Sequence, residues 1–434
     1  MAEPLISTSW SGDGEVFSME FTSEQLRRAR IALTIVFIGN GMFSGAMTAR
    51  LVDIKDGLHL SNGALGVALV FSSVTSFIWM APVSRLVGRW GSARTTMVGL
   101  YTYVITFPLF GILLSPQFLW LTFVLFAIAL TTLEVAMNSH AVALEHAYKR
   151  RIMTVLHGTW SLGGLVSVGI SGILAQSHVP IFVNFLGFSV LNLVAILLVR
   201  TWLLPNEVDR QPSVHKVART GRRRFTLSHV PLFFIILGLL GLSEQIGEGA
   251  AGNWGGVLAR ESYHAGPFVS TLPFLVFSVV MVIGRFFGDG LATRFSTRTI
   301  LSASGAFIAV GLGVGMLINT LASEIVAWVF LGIGASNVIP LLFSAAGRAA
   351  RTRGNGVISP STALALVTAI AYSGYLVGPP SIGYVSDVTS LHVALLIPAA
   401  LGAVLCVGTL VVMKNTDDVA DVAVDGAATA LATD

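Results

Sequence analysis

The stretch LTTLEVAMNSHAVALEHAYKRR, Leu130 to Arg151, decides how the rest of the chain is read. It opens inside an apolar run that starts near Phe118 and closes on three consecutive cations, Lys149, Arg150 and Arg151. Between them lies a carboxylate, Glu134, with Asn138 one helical turn later. Residues four apart share a helix face. A helix through this stretch therefore carries an acid and an amide together, far from either end. On insertion scales an acidic residue at the centre of a membrane helix costs about 2.5–3.5 kcal/mol, which directs it to a cavity or a packed interior and away from lipid.

Working outward, the composition agrees. The chain has 434 residues, of which 54% are hydrophobic and only 11% charged. A soluble domain carries about 25% charged residues, so most of this chain is expected in a bilayer. Runs of about 20 apolar residues count as spans. They fall at 29–50, 62–83, 95–114, 117–144, 154–175 and 181–203, then at 230–254, 266–288, 299–319, 324–345, 359–385 and 392–413. The expected fold is thus all-α and integral to the membrane, with twelve helices in two six-helix halves. The expected division is a cytoplasmic tail (1–28), a first half (29–204), a cytoplasmic linker (205–228), a second half (229–413) and a disordered tail (414–434). The first 28 residues lack the pattern of a cleaved signal peptide. Thr22 and Gln25 have the spacing of a capping box leading into the first span. Cys406 is the one cysteine, so no intramolecular disulfide is expected.

The charges orient the spans. Of the 26 Lys and Arg residues, only Arg50, Lys55 and Arg260 fall on one side, which leaves 23 on the side of the tails. The positive-inside rule makes that side cytoplasmic. The net charge of +4 is explained by this asymmetry, and no nucleic-acid partner is implied. Arg222, Arg223 and Arg224 in the linker read as a topology signal, with contact to anionic lipid heads as the alternative.

The halves repeat weakly. PVSRLVGRWG (Pro82–Gly91) and GRFFGDGLATRF (Gly284–Phe295) each place Gly and Arg at an expected tight cytoplasmic turn. At these residues the chain resembles the major facilitator superfamily of transporters. The segments ARLVDIK (Ala49–Lys55), LEVAMN (Leu133–Asn138), HGTWSLGG (His157–Gly164) and EGAAGNW (Glu248–Trp254) resemble, more narrowly, a branch of bacterial inner-membrane proteins of unassigned substrate near the fucose permeases. One departure stands out: Gly88 replaces the acid usual in the first of these loops, while the second keeps Asp289. The resemblance implies gating loops at Arg85, Arg89, Gly91, Arg285, Gly288, Asp289 and Arg294. It also implies that spans 1, 4, 7 and 10 line a central cavity, with spans 3, 6, 9 and 12 outside. Span 6 fits this less well, because it holds Asn184 and Asn192.

The cavity candidates follow. Glu134, Glu244 and Glu248 are the proton-coupling candidates, since acids inside spans are functional by default. The plainer reading of Glu134 is a hydrogen bond between helices, and of Glu248 solvation at the cavity mouth. Asn40, Asn138, Gln245, Trp254, Ser336 and Asn337 are the solute-facing candidates. Trp254 has the geometry to stack on a sugar, and Trp is equally common at membrane interfaces. His140, off the Glu134 face, reads as packing, and His157 as an interfacial hydrogen-bonding group. The Gly39/Gly41/Gly45 cluster, with its GxxxG spacing, reads as a close helix contact, and Gly374–Gly378–Pro379–Pro380 as a bend in span 11.

The chain contains no HExxH, GxSxG or Walker A pattern, so hydrolase, metalloprotease and ATP-driven readings lack their chemistry. No cofactor or metal is implied. The expected protein is a monomeric secondary transporter of the bacterial inner membrane. It would move a small polar solute, with a sugar the first candidate, coupled to protons. A proton-driven exporter of drugs or metabolites is the alternative, and a non-transporting sensor the reading from another class. The topology is directly testable. Cysteines placed at Ser115 and Ser177 should label from outside the cell, and cysteines at Ser92 and Ser213 only after permeabilisation. The reverse pattern at either pair ends the twelve-span arrangement with both termini inside.

Overall fold

The structure is a computed structural model, and it describes residues 5–12, 15–112, 114–149, 152–208, 232–352 and 360–413. Most of the expected linker, the expected C-terminal tail, Arg150, Arg151 and Arg222 to Arg224 lie outside the described residues. The chain forms two compact units: Met1–Leu60 with Ala68–Gly221, and Ser61–Val67 with Arg222–Asp434.

The first unit starts with an antiparallel hairpin, β1 (Leu5–Gly12) and β2 (Glu15–Thr22), in which Leu5 pairs with Thr22 and Gly12 with Glu15. The sequence had been read here only as a polar tail. Helices α1 (Ser23–Gly57), α2 (Asn62–Trp90), α3 (Ser92–Thr106), α4 (Pro116–Tyr148), α5 (Met153–Gln176) and α6 (Ile181–Val199) follow. The capping box is in place at the start of α1: the Gln25 N–H donates to Thr22 Oγ1 at 3.1 Å, and the Thr22 N–H donates to Gln25 Oε1 at 2.9 Å. The α4–α5 turn is held by another acid. Glu145 Oε1 accepts from the N–H groups of Ile152 (2.6 Å) and Met153 (2.9 Å), so a carboxylate from one helix satisfies the first donors of the next.

The second unit comprises α7 (Leu232–Tyr263), α8 (Leu272–Ala292), α9 (Thr297–Ile318), α10 (Leu321–Ala335), α11 (Val338–Thr352), α12 (Pro360–Tyr372), α13 (Gly374–Val388), α14 (Leu391–Ala394) and α15 (Leu396–Val412). Three expected spans are therefore pairs: α10 with α11, α12 with α13, and α14 with α15. Span 11 is interrupted at Ser373, ahead of Pro379 and Pro380, which sit inside α13. Ser61–Val67 belongs to this unit, where Ser61 Oγ donates to Asp387 at 2.7 Å and Asn62 Nδ2 to Ser386 Oγ at 2.9 Å.

Among the described residues, eleven helical stretches are long and apolar enough to cross a membrane. The twelfth span is α3 continued by a 3-10 turn at Phe107–Gly111. Fifteen α-helical and five 3-10 residues reach roughly 30 Å, the thickness of a hydrocarbon core. Pro108 sits in that turn, where an α-helix would lose a hydrogen bond. Bulky apolar side chains such as Phe286 (83% exposed) and Val411 (77%) face outward, which suits lipid.

The expected gating loops need correcting. Arg85 and Arg89 lie within α2, and Arg285, Gly288 and Asp289 within α8. Only Gly91 and Arg294 lie in turns. Nothing in Pro82–Trp90 stops a helix until Gly91, whose φ of 85° is open to glycine and costly for most other residues. On the second side the helix runs on to Ala292. Ser92 is 1% exposed and bonded to His140, so it is a poor labelling position. Exposed Thr293, in the α8–α9 turn, takes its place.

Helix α1 packs on α5 through bare backbone. A Cβ added at Gly41 would collide with the Trp160 carbonyl, and one at Gly45 with the Gly164 carbonyl. Lipid supplies no hydrophobic drive between helices, so such close approach is how they associate. By contrast, a Cβ at Gly88 meets nothing within 4 Å. Gly41→Val and Gly45→Val should each cost about 1–3 kcal/mol or more, as overpacking does. Gly88→Ala should gain up to about 1 kcal/mol from helix propensity. Thermal unfolding of the purified variants in detergent checks both signs.

Candidate functional site

In the first unit the polar site is assembled from α1, α3 and α4. Asn40, fully buried, lies close enough to hydrogen-bond the Glu134 carboxylate. Its Nδ2 also approaches Met137 Sδ at 3.9 Å, and its Oδ1 has no partner among the described residues. Glu134 itself is only half-buried, as an acid facing a cavity would be. Asn138 turns its Nδ2 back onto the Glu134 backbone carbonyl at 2.8 Å, so the two share a face, as their spacing requires.

Tyr103 on α3 was missed by sequence reasoning. Its ring is fully buried in an aromatic cluster, 4.3 Å from Phe43 and 5.0 Å from Phe126 between centroids. It lies close enough to feel the Glu134 charge, yet its hydroxyl has no hydrogen-bond partner among the described residues. Span 3 thus contributes to the site, although the resemblance had placed it outside. A lone tyrosine in an apolar helix gave no periodic signal that would have flagged it.

In the second unit Glu244 and Gln245 on α7 are sealed, at 1% and 2% exposure, and one turn on, Glu248 is half-buried. Glu248 hydrogen-bonds Glu244 and Tyr375 of α13. Two carboxyl groups bond to each other only with a proton between them. Glu244 Oε2 and Gln245 Oε1 are left without partners among the described residues.

Arg285, expected in a cytoplasmic loop, lies instead in electrostatic range of Glu244. Its guanidinium donates to the Ser336 carbonyl at 3.4 Å, at the break between α10 and α11. Asn337 closes the same break, with Nδ2 donating to the Gly284 carbonyl at 3.1 Å and to Ser336 Oγ at 2.9 Å. A Cβ at Gly288 would strike the Asn337 amide, so a bare position lets α8 approach here.

Other candidates are placed elsewhere. Trp254 is 0% exposed, its indole N–H lacks a partner among the described residues, and its ring packs beside Gly383. No face of it is open for a solute to stack on. Arg85 and Arg89 are exposed on α2. Nothing is described of the Asp289 side chain. His157 packs edge-on against Phe37 at 5.4 Å. His140 does more than fill space: Nε2 accepts the Leu204 N–H at 3.2 Å, which leaves Nδ1 to carry the proton given to Ser92 Oγ at 2.7 Å. The chain leaving α6 is thereby tied to α3 and α4, and Asn206 Oδ1 adds a bond from the Arg94 N–H at 2.8 Å. So the first residues of the expected linker, through Val208, are ordered. Among the described residues no group of His, Cys, Asp and Glu is arranged to hold a metal.

Spanning helices with acids and amides turned inward define a multi-pass membrane protein. The chain belongs to the Major Facilitator Superfamily, whose family model matches residues 31–361 and again 261–430, and it is a membrane transport protein of that family. It is 26% identical to the membrane protein MosC of Rhizobium meliloti over 379 residues, covering 86% of this chain and 88% of that one. It is 25% identical to an uncharacterised MFS-type transporter of Yersinia pestis, covering 84% and 91%. The nucleoside transporter NupG, solved as a mutant, superposes with a TM-score of 0.72 at 13% identity, covering 89% of this chain and all of that one. An inward-facing, unoccupied bacterial homolog of the human lysosomal transporter Spinster superposes equally well, at 12% identity, covering 92% and 99%. At these identities the structures share the fold.

The Tyr103 hydroxyl gives a clean test of the first-unit geometry. An unsatisfied buried hydroxyl costs about 1–3 kcal/mol. Tyr103→Phe keeps the ring and removes that cost, so the melting temperature of the solute-free protein should hold or rise. A clear fall would mean that the hydroxyl is bonded to Glu134.

Proposed function

We propose that this chain is a proton-coupled secondary transporter of a small, hydroxyl-rich solute, working by alternating access in the bacterial inner membrane with both termini in the cytoplasm. The observation that carries this reading is the set of buried acceptors without donors: Asn40 Oδ1, Glu244 Oε2 and Gln245 Oε1. Each orphaned acceptor costs about 1–3 kcal/mol until a donor arrives. A solute rich in O–H groups supplies such donors, and a sugar is the first candidate. The nucleoside named for one structural relative also carries hydroxyls and belongs in the same screen.

The acids supply the coupling. Glu134 takes a proton with Asn40 beside it, and the Glu244–Glu248 pair exchanges its shared proton as solute binds. Arg285 stands where it can balance Glu244 when that proton leaves. The protein acts as a monomer, and residues 209–228 complete a cytoplasmic connection between the halves.

Two measurements test this. Thermal-shift screening with sugars, polyols, nucleosides, amino acids and drugs should find hydroxyl-rich binders, because a ligand at 100 times its Kd stabilises by about 2.7 kcal/mol. Hits confined to hydrophobic cations would instead point to the exporter. With a solute in hand, Glu134→Gln should abolish uphill uptake, since no proton can be released, and should spare counterflow, which needs only binding and rocking. Normal uphill uptake by this variant removes Glu134 from the mechanism.

A further inference from the structure

One buried acid lies outside the site above. Glu324, in the first turn of α10, is 0% exposed. Its Oε1 accepts the indole N–H of Trp328 at 3.1 Å, and its Oε2 has no partner among the described residues. A carboxyl group in a dry interior must be either matched by a cation or held neutral.

Among the described residues no cation is placed to match it. The helices packed on α10 are α7, α8, α9 and α11. On α8 the charged residues are Arg285 and Asp289, and on α9 the only one is Arg298 in the first turn, all toward the opposite end of the unit. Arg348 of α11 donates to Thr297, also at that far end. On α7, Arg260 donates to Ser270 Oγ at 3.2 Å and Glu261 accepts from Asn62 at 3.1 Å. The remaining titratable neighbour is Tyr263, the last residue of α7, which lies within electrostatic reach of Glu324. Its hydroxyl meets His392 Nε2 of α14 at 2.9 Å and donates to Asn319 Oδ1 at 3.3 Å. Both contacts are satisfied together when Nε2–H donates to the tyrosine oxygen. Tyr263 and His392 are half-buried, Asn319 is exposed, and His264 in the turn after α7 is exposed as well. A line of polar groups thus runs from water at this end of the unit toward an acid with one open oxygen.

We propose that Glu324 is a proton-binding site in its own right, filled from the adjacent aqueous face past His392 and Tyr263, and separate from Glu134, Glu244 and Glu248. The step is a proton transfer alone. A hydronium ion from that face gives its proton to Oε2 and is left as water, the carboxylate becomes a neutral acid, and Oε1 keeps the Trp328 N–H. With the tails inside, this end faces out, so the site would respond to external pH. Its existence does not depend on which solute is carried or on the roles of the cavity acids.

The test uses the full-length protein in lipid nanodiscs without solute. Infrared difference spectra recorded across a pH titration report protonated carboxyl groups by their C=O stretch. The wild type should show one such band that the Glu324→Gln variant loses, with the bands from the cavity acids unchanged. Tyr263→Phe and His392→Gln should keep the band and move its titration midpoint. Titrating bands identical in wild type and a folded Glu324→Gln variant would overturn the proposal. If that variant does not fold, an unmoved carboxyl titration in both rim variants would overturn it as well.

Discussion

A carboxyl group removed from water needs a partner of its own, and the packing around each buried acid of this chain answers that demand differently. Glu134 is left half-exposed, with the Asn40 amide alongside. Glu244 is sealed but shares a hydrogen bond with Glu248 and feels Arg285. Glu324 leans on one indole N–H. Glu145 binds two backbone donors at a helix start. The first two arrangements leave acceptors open around the acids. The last is complete without a ligand, and its role is structural.

Holding those groups in place requires helices that approach closely. Among lipid tails, apolar side chains gain nothing by meeting each other, so backbone contact does the fastening. Bare positions mark the seams: Gly41 and Gly45 of α1 against the α5 backbone, Gly99 against the backbone at Leu133, Gly305 against Gly402 and Cys406. The Gly99 contact brings α3 onto α4 beside Glu134, which is how Tyr103 comes to stand near that acid. Packing and site chemistry are in this sense one arrangement.

Much of the fold was legible in the sequence because lipid imposes length and polarity so strictly. The spans, the Thr22–Gln25 cap and a close contact at the glycines of span 1 all followed from local rules, while the partner, α5, did not. The hairpin at Leu5–Thr22 did not, since its strands lack strong alternation. The extent of α2 and α8 was misjudged because glycines and arginines that suggest a turn are tolerated inside membrane helices. Within the site, residues on one helix were found by spacing, as Glu134 with Asn138 and Glu244 with Glu248. Tyr103, Tyr375 and the approach of Arg285 to Glu244 depend on which helix meets which, and no period in a single segment carries that. The enclosure of Trp254, whose ring lies beside Gly383 of α13, was hidden for the same reason.

The break in span 10 has a mechanical consequence. At Ser336 and Asn337 the helix gives up its regular backbone ladder, so α10 and α11 meet at a joint. That joint is bolted to α8 at two points, Arg285 on the Ser336 carbonyl and Asn337 on the Gly284 carbonyl. Any swing of α11 would therefore load both bonds. It would pull on the guanidinium and change how strongly that cation weighs on Glu244, so that movement of a half-helix and the charge on a buried acid would be coupled.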